Sequence, residues 1–343
     1  MKFLNKSVIA ALILTCSLIQ ASSQTREYRI IDTIKIGGDG GWDYLTVDTA
    51  MNRLYVSHGT KVEVIDLVKK TVIGKIPNTN GVHGIALVPE FNKGFTSNGR
   101  DSSVTIFDLQ SLKTLLSVKL NVKNPDAIIY DKYSKRIFTF NGGSQSVTAI
   151  DAKSDTVIGT ITVSGKPEFA VPDGKGIIYV NIEDKSEITA FETQTLKIVK
   201  RWLIAPGEEP SGLAIDREHH RLFSVCGNRL LIVSDPESGK VITTIPIGNG
   251  VDGVMFDPQR QLIFSSNGEG TLTIIREDSP DNYTVLENIA TQKGARTLTL
   301  DERTHKVYLS VAEFGPPPAP TADRPHPRPT VVPDSFIILI AGS

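Results

Sequence analysis

The feature that most restricts how this chain can fold is a repeat. Segments of one pattern begin at WDYLTVD (42–48), VHGIALV (82–88), PDAIIYD (125–131), PEFAVPD (167–173), PSGLAID (210–216), VDGVMFD (251–257) and ARTLTLD (295–301). Their second residues are Asp43, His83, Asp126, Glu168, Ser211, Asp252 and Arg296, spaced by 40, 43, 42, 43, 41 and 44 residues. Seven copies of one unit therefore cover nearly the whole chain, and each copy is too small to bury a core alone.

Each unit has the same internal order. An apolar run comes first, then a polar turn such as DPQRQ (257–261), then an aromatic-led run such as LYVSH (54–58), GFTSN (94–98) or IFSSN (263–267). A Gly- and Asn-rich turn follows, then a third run (VEVID, 62–66) and a fourth (TVIGKI, 71–76). Short β-branched runs with two-residue alternation and turn punctuation predict four-stranded antiparallel meanders. Four strands per repeat of this length predict an all-β fold, a seven-bladed β-propeller in which stacked blades bury each other's faces. The seventh unit supplies only three strands, the third being SFIILIA (335–341). The spare strand YRIIDTIKI (28–36) stands at the other end of the chain and is expected to close the last blade, since an open seam would leave an unpaired edge.

The second runs YVSH, FTSN, YVNI and FSSN, with the hairpins VEVIDLVKKTVIGKI and VTAIDAKSDTVIGTITV, resemble those of the exported YVTN-type, YncE-like family of seven-bladed propellers. The resemblance covers about residues 28–343, although no unit carries the four letters YVTN. It implies the architecture. It implies no single activity, because related propellers serve as lactonases, lyases, cofactor-bearing subunits and binding scaffolds.

The first 23 residues read as a signal peptide: Lys2 and Lys6, a short apolar core from Val8 to Leu14, and Ala21-Ser22-Ser23 as cleavage site. Export to the periplasm or medium is expected, with residues 24–343 as a single domain; lipid anchoring at Cys16 is disfavoured by Thr15 before it. No later stretch resembles a transmembrane helix. Cleavage leaves Cys226 without a disulfide partner, and it reads as a small buried hydrophobe rather than a reactive thiol. Loss of Lys2 and Lys6 moves the formal charge from −1 to −3, a near balance that argues against a broad nucleic-acid surface.

In a propeller the first strand of each blade lines the central channel, so the seven residues in identical phase should meet at one channel mouth. Asp43, His83, Asp126, Glu168, Ser211, Asp252 and Arg296 read in two ways: as a solvated mouth, or as a site for a small polar ligand, a cation or a protein partner. Asp43, His83, Asp126 and Asp252 are the metal-ligand candidates for a divalent cation, oxygen-rich with one imidazole. If the protein is an enzyme of lactonase or lyase type, His83 or Glu168 is the candidate base and Arg296 the group that stabilises developing negative charge. The same face should carry His58 and Arg100 as ligand contacts. Asn98, Asn141 and Asn267, each before a glycine, read as turn residues. The GGDGG at 37–41 reads as a connection between blades, and GxSxG, HExxH, CxxCH and P-loop patterns are absent.

One blade departs from the pattern. Its second and third strands are separated by a long insert, centred on 315–333, with seven prolines between 316 and 329. Proline stiffens such a loop against sheet formation. It reads either as a lid that carries Arg324, His326 and Arg328 over the mouth, or as a surface tether.

Overall fold

The computed structural model describes residues 27–321, 327 and 329–343. Residues 1–26, which hold the expected signal peptide and Cys16, lie outside the described residues. Seven four-stranded antiparallel sheets form the blades of an all-β propeller. The inner strands are Leu45–Asp48, Val82–Val88, Pro125–Asp131, Pro167–Pro172, Pro210–Asp216, Val251–Asp257 and Leu298–Asp301, one for each of blades 1 to 7.

Blade 7 is closed as expected. Arg29–Lys35 pairs antiparallel with Ile337–Gly342, in a register running from Arg29 opposite Gly342 to Lys35 opposite Ile337, with one irregularity between Ile30 and Asp32. The order in this sheet is therefore inner strand, Lys306–Val311, Ile337–Gly342, and the N-terminal strand outermost.

Recurrent aspartates explain why the hairpins turn where they do. Asp48, Asp131, Asp257 and Asp301 end inner strands and accept hydrogen bonds from backbone N–H groups two or three residues on. Asp66, Asp108, Asp151 and Asp235 do the same for the turn that leads into the outermost strand. An Asp carboxylate that holds the following N–H groups mimics a backbone turn.

Asn98, Asn141 and Asn267 correct the turn reading. All three are fully buried, and none has positive φ. The left-handed residues in these turns are Ser102, Gln145 and Gly270. The connection is longer than a two-residue hairpin, so the positive φ falls at its far end. The buried amides instead join neighbouring strands: Asn98 donates to Ser103 and Thr105, Asn141 to Ser146 and Thr148, and Asn267 to Thr271 and Thr273. A buried amide must find such partners, and here strand alternation supplies them.

The core is a series of apolar layers between blades. Phe138 and Phe191 meet at 5.5 Å between blades 3 and 4, and Phe223 and Phe256 at 5.3 Å between blades 5 and 6. Truncating one of these rings to alanine is worth about 3–5 kcal/mol. Cys226 belongs to this packing; it is free and buried, and burial pushes its thiol up to about 12. Among the described residues no helix is long and apolar enough to cross a membrane.

Candidate functional site

The entrances of the inner strands are fixed by a relay of hydrogen bonds that runs from blade to blade. Thr46 Oγ1 donates to the Ile85 carbonyl at 2.8 Å, and Ser97 donates to the Asp126 carbonyl. Asn181 donates to the Ser211 and Gly212 carbonyls. Gly253 N donates to the Arg296 carbonyl at 3.0 Å, and Thr297 Oγ1 to the Asp43 carbonyl at 2.8 Å. The Ser, Thr and Asn residues of the second and inner strands thus hold the backbone from which the seven phase-matched side chains project.

Those side chains converge. His83 Nδ1 lies 2.6 Å from Asp43 Oδ2 and 3.5 Å from Asp126 Oδ1. Arg296 Nη1 is 3.3 Å from Asp252 Oδ2. Ser211 is buried, and its hydroxyl reaches the Val251 carbonyl at 3.5 Å, so it serves the relay more than the surface. Arg100, Asp43, His83 and Arg296 all line one open cavity of about 460 Å³, with Trp42 and Asn124.

Three residues of this site carried no signal in the repeat phase. Lys166, two positions before Glu168, approaches it to 2.6 Å and also binds Glu183. Asn124, two before Asp126, donates weakly to it at 3.4 Å. Tyr44, one after Asp43, reaches its ring across the channel to Phe169 of blade 4, with centroids 5.3 Å apart. Blades 1 and 4 are not neighbours, so this pair crosses the axis and forms a floor beneath the mouth. A further cavity of about 220 Å³ lies along the inner strands beside this pair. All three stand within two residues of a repeated position.

Burial dominates the electrostatics. It raises the carboxyls of Asp126 to about 6 and Asp252 to about 7, despite the opposing charges of His83 and Arg296 respectively. It raises Glu168 to about 8 against the pull of Lys166. Burial would lower His83, but the hydrogen bond to Asp43 and the charges of Asp126 and Asp43 outweigh it and hold the imidazole up at about 9. The Tyr44 phenol is pushed well above its ordinary range by burial and then by Asp252, Asp126, Asp43 and Glu168. At neutral pH His83 is therefore a cation and a donor. A protonated imidazole is not a base, so on an enzyme reading the carboxylates are the better candidates.

His58 is set apart from the mouth. It is buried against Phe336, with ring centroids 4.6 Å apart, and its Nδ1 is 3.5 Å from Glu63. The Gly59 that follows takes positive φ in the two-residue turn between His58 and Lys61. Arg100, by contrast, stays at the exposed rim without an ion pair to any described residue.

The base of the blade 7 insert adjoins this face. Phe314 bridges Val331, Gly315 N donates to the Thr330 carbonyl at 2.8 Å, and Trp42 stacks between Phe314 at 5.7 Å and Phe336 at 5.2 Å. Trp42, Phe314, Lys293 and Arg296 line an adjoining groove of about 610 Å³. Arg324, His326 and Arg328 lie outside the described residues. The GGDGG segment connects blade 7 to blade 1, with positive φ at Gly37, Gly38 and Gly40 and a hydrogen bond from Gly38 N to Asp334.

No family model matches this sequence, and no curated protein matches it. Solved structures do match. A chain of Kuenenia stuttgartiensis hydrazine synthase superposes with a TM-score of 0.67 at 16% identity, covering 80% of this chain and 94% of that chain. As many as 1886 solved chains match, so the likeness identifies an architecture shared across many proteins and no activity. The chain has a seven-bladed, propeller-like fold.

Proposed function

We propose that the protein is an exported propeller of the YVTN type that binds a small polar ligand in the cup above Tyr44 and Phe169. The observation that carries the reading is the gathering of the Asp43–His83–Asp126, Asp252–Arg296 and Glu168–Lys166 ion pairs at the inner-strand entrances, beside an open cavity lined by Asp43, His83, Arg100 and Arg296. Gathering so many ionisable groups out of water is unfavourable for folding, and such costs concentrate at sites of function. The cavity's volume is that of a small-molecule pocket, and its wall offers donors (His83, Arg100, Arg296) beside the Asp43 carboxylate.

Thermal melting of the mature protein against a panel of small polar compounds and divalent cations tests this. A compound bound at the mouth raises the melting temperature by mass action, and the rise disappears in Asp252→Asn or Arg296→Ala. A panel without any shift, or shifts that survive both substitutions, refutes the reading.

One observation favours a second reading, acid–base catalysis of lactonase or lyase type. Asp252, raised to about 7, sits 3.3 Å from Arg296, which pairs a base of suitable strength with a guanidinium able to stabilise developing negative charge. Turnover of a lactone that Asp252→Asn abolishes while binding persists would establish it.

A further inference from the structure

A second cluster lies at the opposite end of the inner strands, where blade 5 meets blade 6. Asp216 ends the inner strand of blade 5, His219 follows in the turn, and Glu277 comes from the third strand of blade 6. One ligand atom of each lies within 4.8 Å of the others. His219 Nδ1 is 2.7 Å from Asp216 Oδ2 and 3.5 Å from Glu277 Oε1.

Two independent facts distinguish this cluster from ordinary polar packing. The first is that three of its buried atoms lack hydrogen-bond partners. Asp216 Oδ2, His219 Nδ1 and Glu277 Oε2 are all buried and unpartnered, in side chains 2% (Asp216) and 0% (Glu277) exposed. Asp216 Oδ1 is used in the repeat's turn, accepting from Glu218 N at 2.8 Å, so the spare oxygen is the one aimed into the cluster. The neighbouring pair shows the alternative. His305 Nδ1 makes a proper 2.6 Å hydrogen bond with Asp257 Oδ2. A buried oxygen without a partner is costly, and natural structures rarely leave one unexplained.

The second fact is a break in the repeat. The N–H of Glu277 bonds the carbonyl of Gln261, as the N–H groups of Leu67, Leu109, Ala152 and Thr193 bond the corresponding carbonyls in blades 1 to 4. Where those blades place Leu, Ala or Thr, blade 6 places a carboxylate. It does so on an enlarged hairpin, whose strands Thr271–Ser279 and Asn282–Ala290 run nine residues each. The Tyr283 hydroxyl reaches Glu277 Oε1 at 3.2 Å and steadies it. Arg221, the guanidinium at this corner, is committed to Asp281 at 2.7 Å and to the Pro280 carbonyl at 2.8 Å.

We propose that Asp216, His219 and Glu277 bind one divalent transition-metal ion of the zinc class, which clamps blade 5 to blade 6 on the face away from the mouth. One imidazole nitrogen and two carboxylate oxygens are a ligand set that zinc accepts, and a water completes a four-coordinate site. Two negative charges in a buried corner are what a divalent ion neutralises best. His219, 30% exposed, stands at the way in. The inference does not depend on what the mouth binds.

The test uses the full protein, stripped with chelator and titrated calorimetrically with zinc, and in parallel with cobalt read by its visible absorption. The expected result is one equivalent bound, a raised melting temperature, and a cobalt spectrum with mixed nitrogen and oxygen ligation. Glu277→Gln and His219→Ala should each weaken binding by more than about tenfold, while Asp126→Asn leaves it unchanged. The cobalt spectrum of the unaltered protein serves if a variant fails to fold. Absence of binding, an equivalent that survives both Glu277→Gln and His219→Ala, or one lost only in Asp126→Asn overturns the proposal.

Discussion

The two faces of the ring each hold a histidine between two carboxylates, and the two triads are differently satisfied. At the mouth, His83 Nδ1 gives its hydrogen to Asp43 at 2.6 Å, and the side chains of Asp43, His83 and Asp126 are 15, 27 and 18% exposed. On the far face, His219 approaches Asp216 equally closely without making a hydrogen bond, and both carboxylates are shut away from water. The mouth has resident cations, Lys166 and Arg296, to answer its charge; among the described residues no lysine or arginine pairs with the far triad. Residue types alone do not decide whether such a cluster holds a proton or a metal. The geometry of the hydrogen bond and the supply of neighbouring positive charge do.

This comparison can be broken most forcefully at His83. His83→Ala leaves Asp43 and Asp126 facing each other without their cation, and stability at pH 7 should fall by about 2–4 kcal/mol, read from urea denaturation. The folded imidazole titrates at about 9 against 6.5 unfolded, so its contribution is complete below pH 6.5 and disappears as pH rises through 9. At pH 10 the loss should be smaller, because the imidazole is then neutral. An equal loss at both pH values would show that the imidazole acts by packing.

Gly99 gives a somewhat smaller handle. A Cβ there would stand 2.6 Å from both His83 Nε2 and Asn124 Oδ1. Gly99→Ala should cost about 1–2 kcal/mol through this clash and alter any ligand-induced melting shift at the mouth. Zinc stoichiometry at the far triad should not change; if it does, the two faces are coupled.

Asp252→Asn should act in the other direction. A carboxyl raised to about 7 costs stability only once it ionises, so the cost is absent below about pH 4 and complete above 7. The asparagine variant should be more stable than the parent by about 1 kcal/mol at pH 8 and no different at pH 4. Loss of stability at pH 8 would mean that the Arg296 pair outweighs burial. Smallest of all, Arg100→Ala should change stability by less than about 0.5 kcal/mol, as exposed substitutions do, yet weaken binding of an anionic ligand at the mouth. A binding profile unaltered by this change would remove the rim from the site.

The repeat made the architecture legible because phase survives divergence: a strand must alternate, and an Asp that caps a turn must precede it. Blade count, strand limits and the closure of blade 7 all follow from phase. Position around the axis is a different matter. The phase brought Asp43, His83 and Asp126 together on paper, but it also grouped Ser211 with them, whose hydroxyl turns to the backbone. Lys166 and Tyr44 act at the mouth from neighbouring positions, because a long side chain reaches sideways from where its backbone sits. The burial of His58 was not legible, because sequence cannot show which way a strand end is packed. The far triad was invisible for a further reason. Asp216 looks like every other turn-capping aspartate, and its partner Glu277 comes from another blade.

The pairing of Arg29 with Gly342 makes the ring a clasp, one half from the first and the other from the last of the described strands in chain order. During synthesis the outermost strand of blade 7 is therefore made before the other blades and its partner after them. Until then six blades can form while the seam stays open, with an unpaired edge offered to any strand nearby. The clasp thereby acts as a timing device: a chain interrupted anywhere before residues 337–342 has no closed ring.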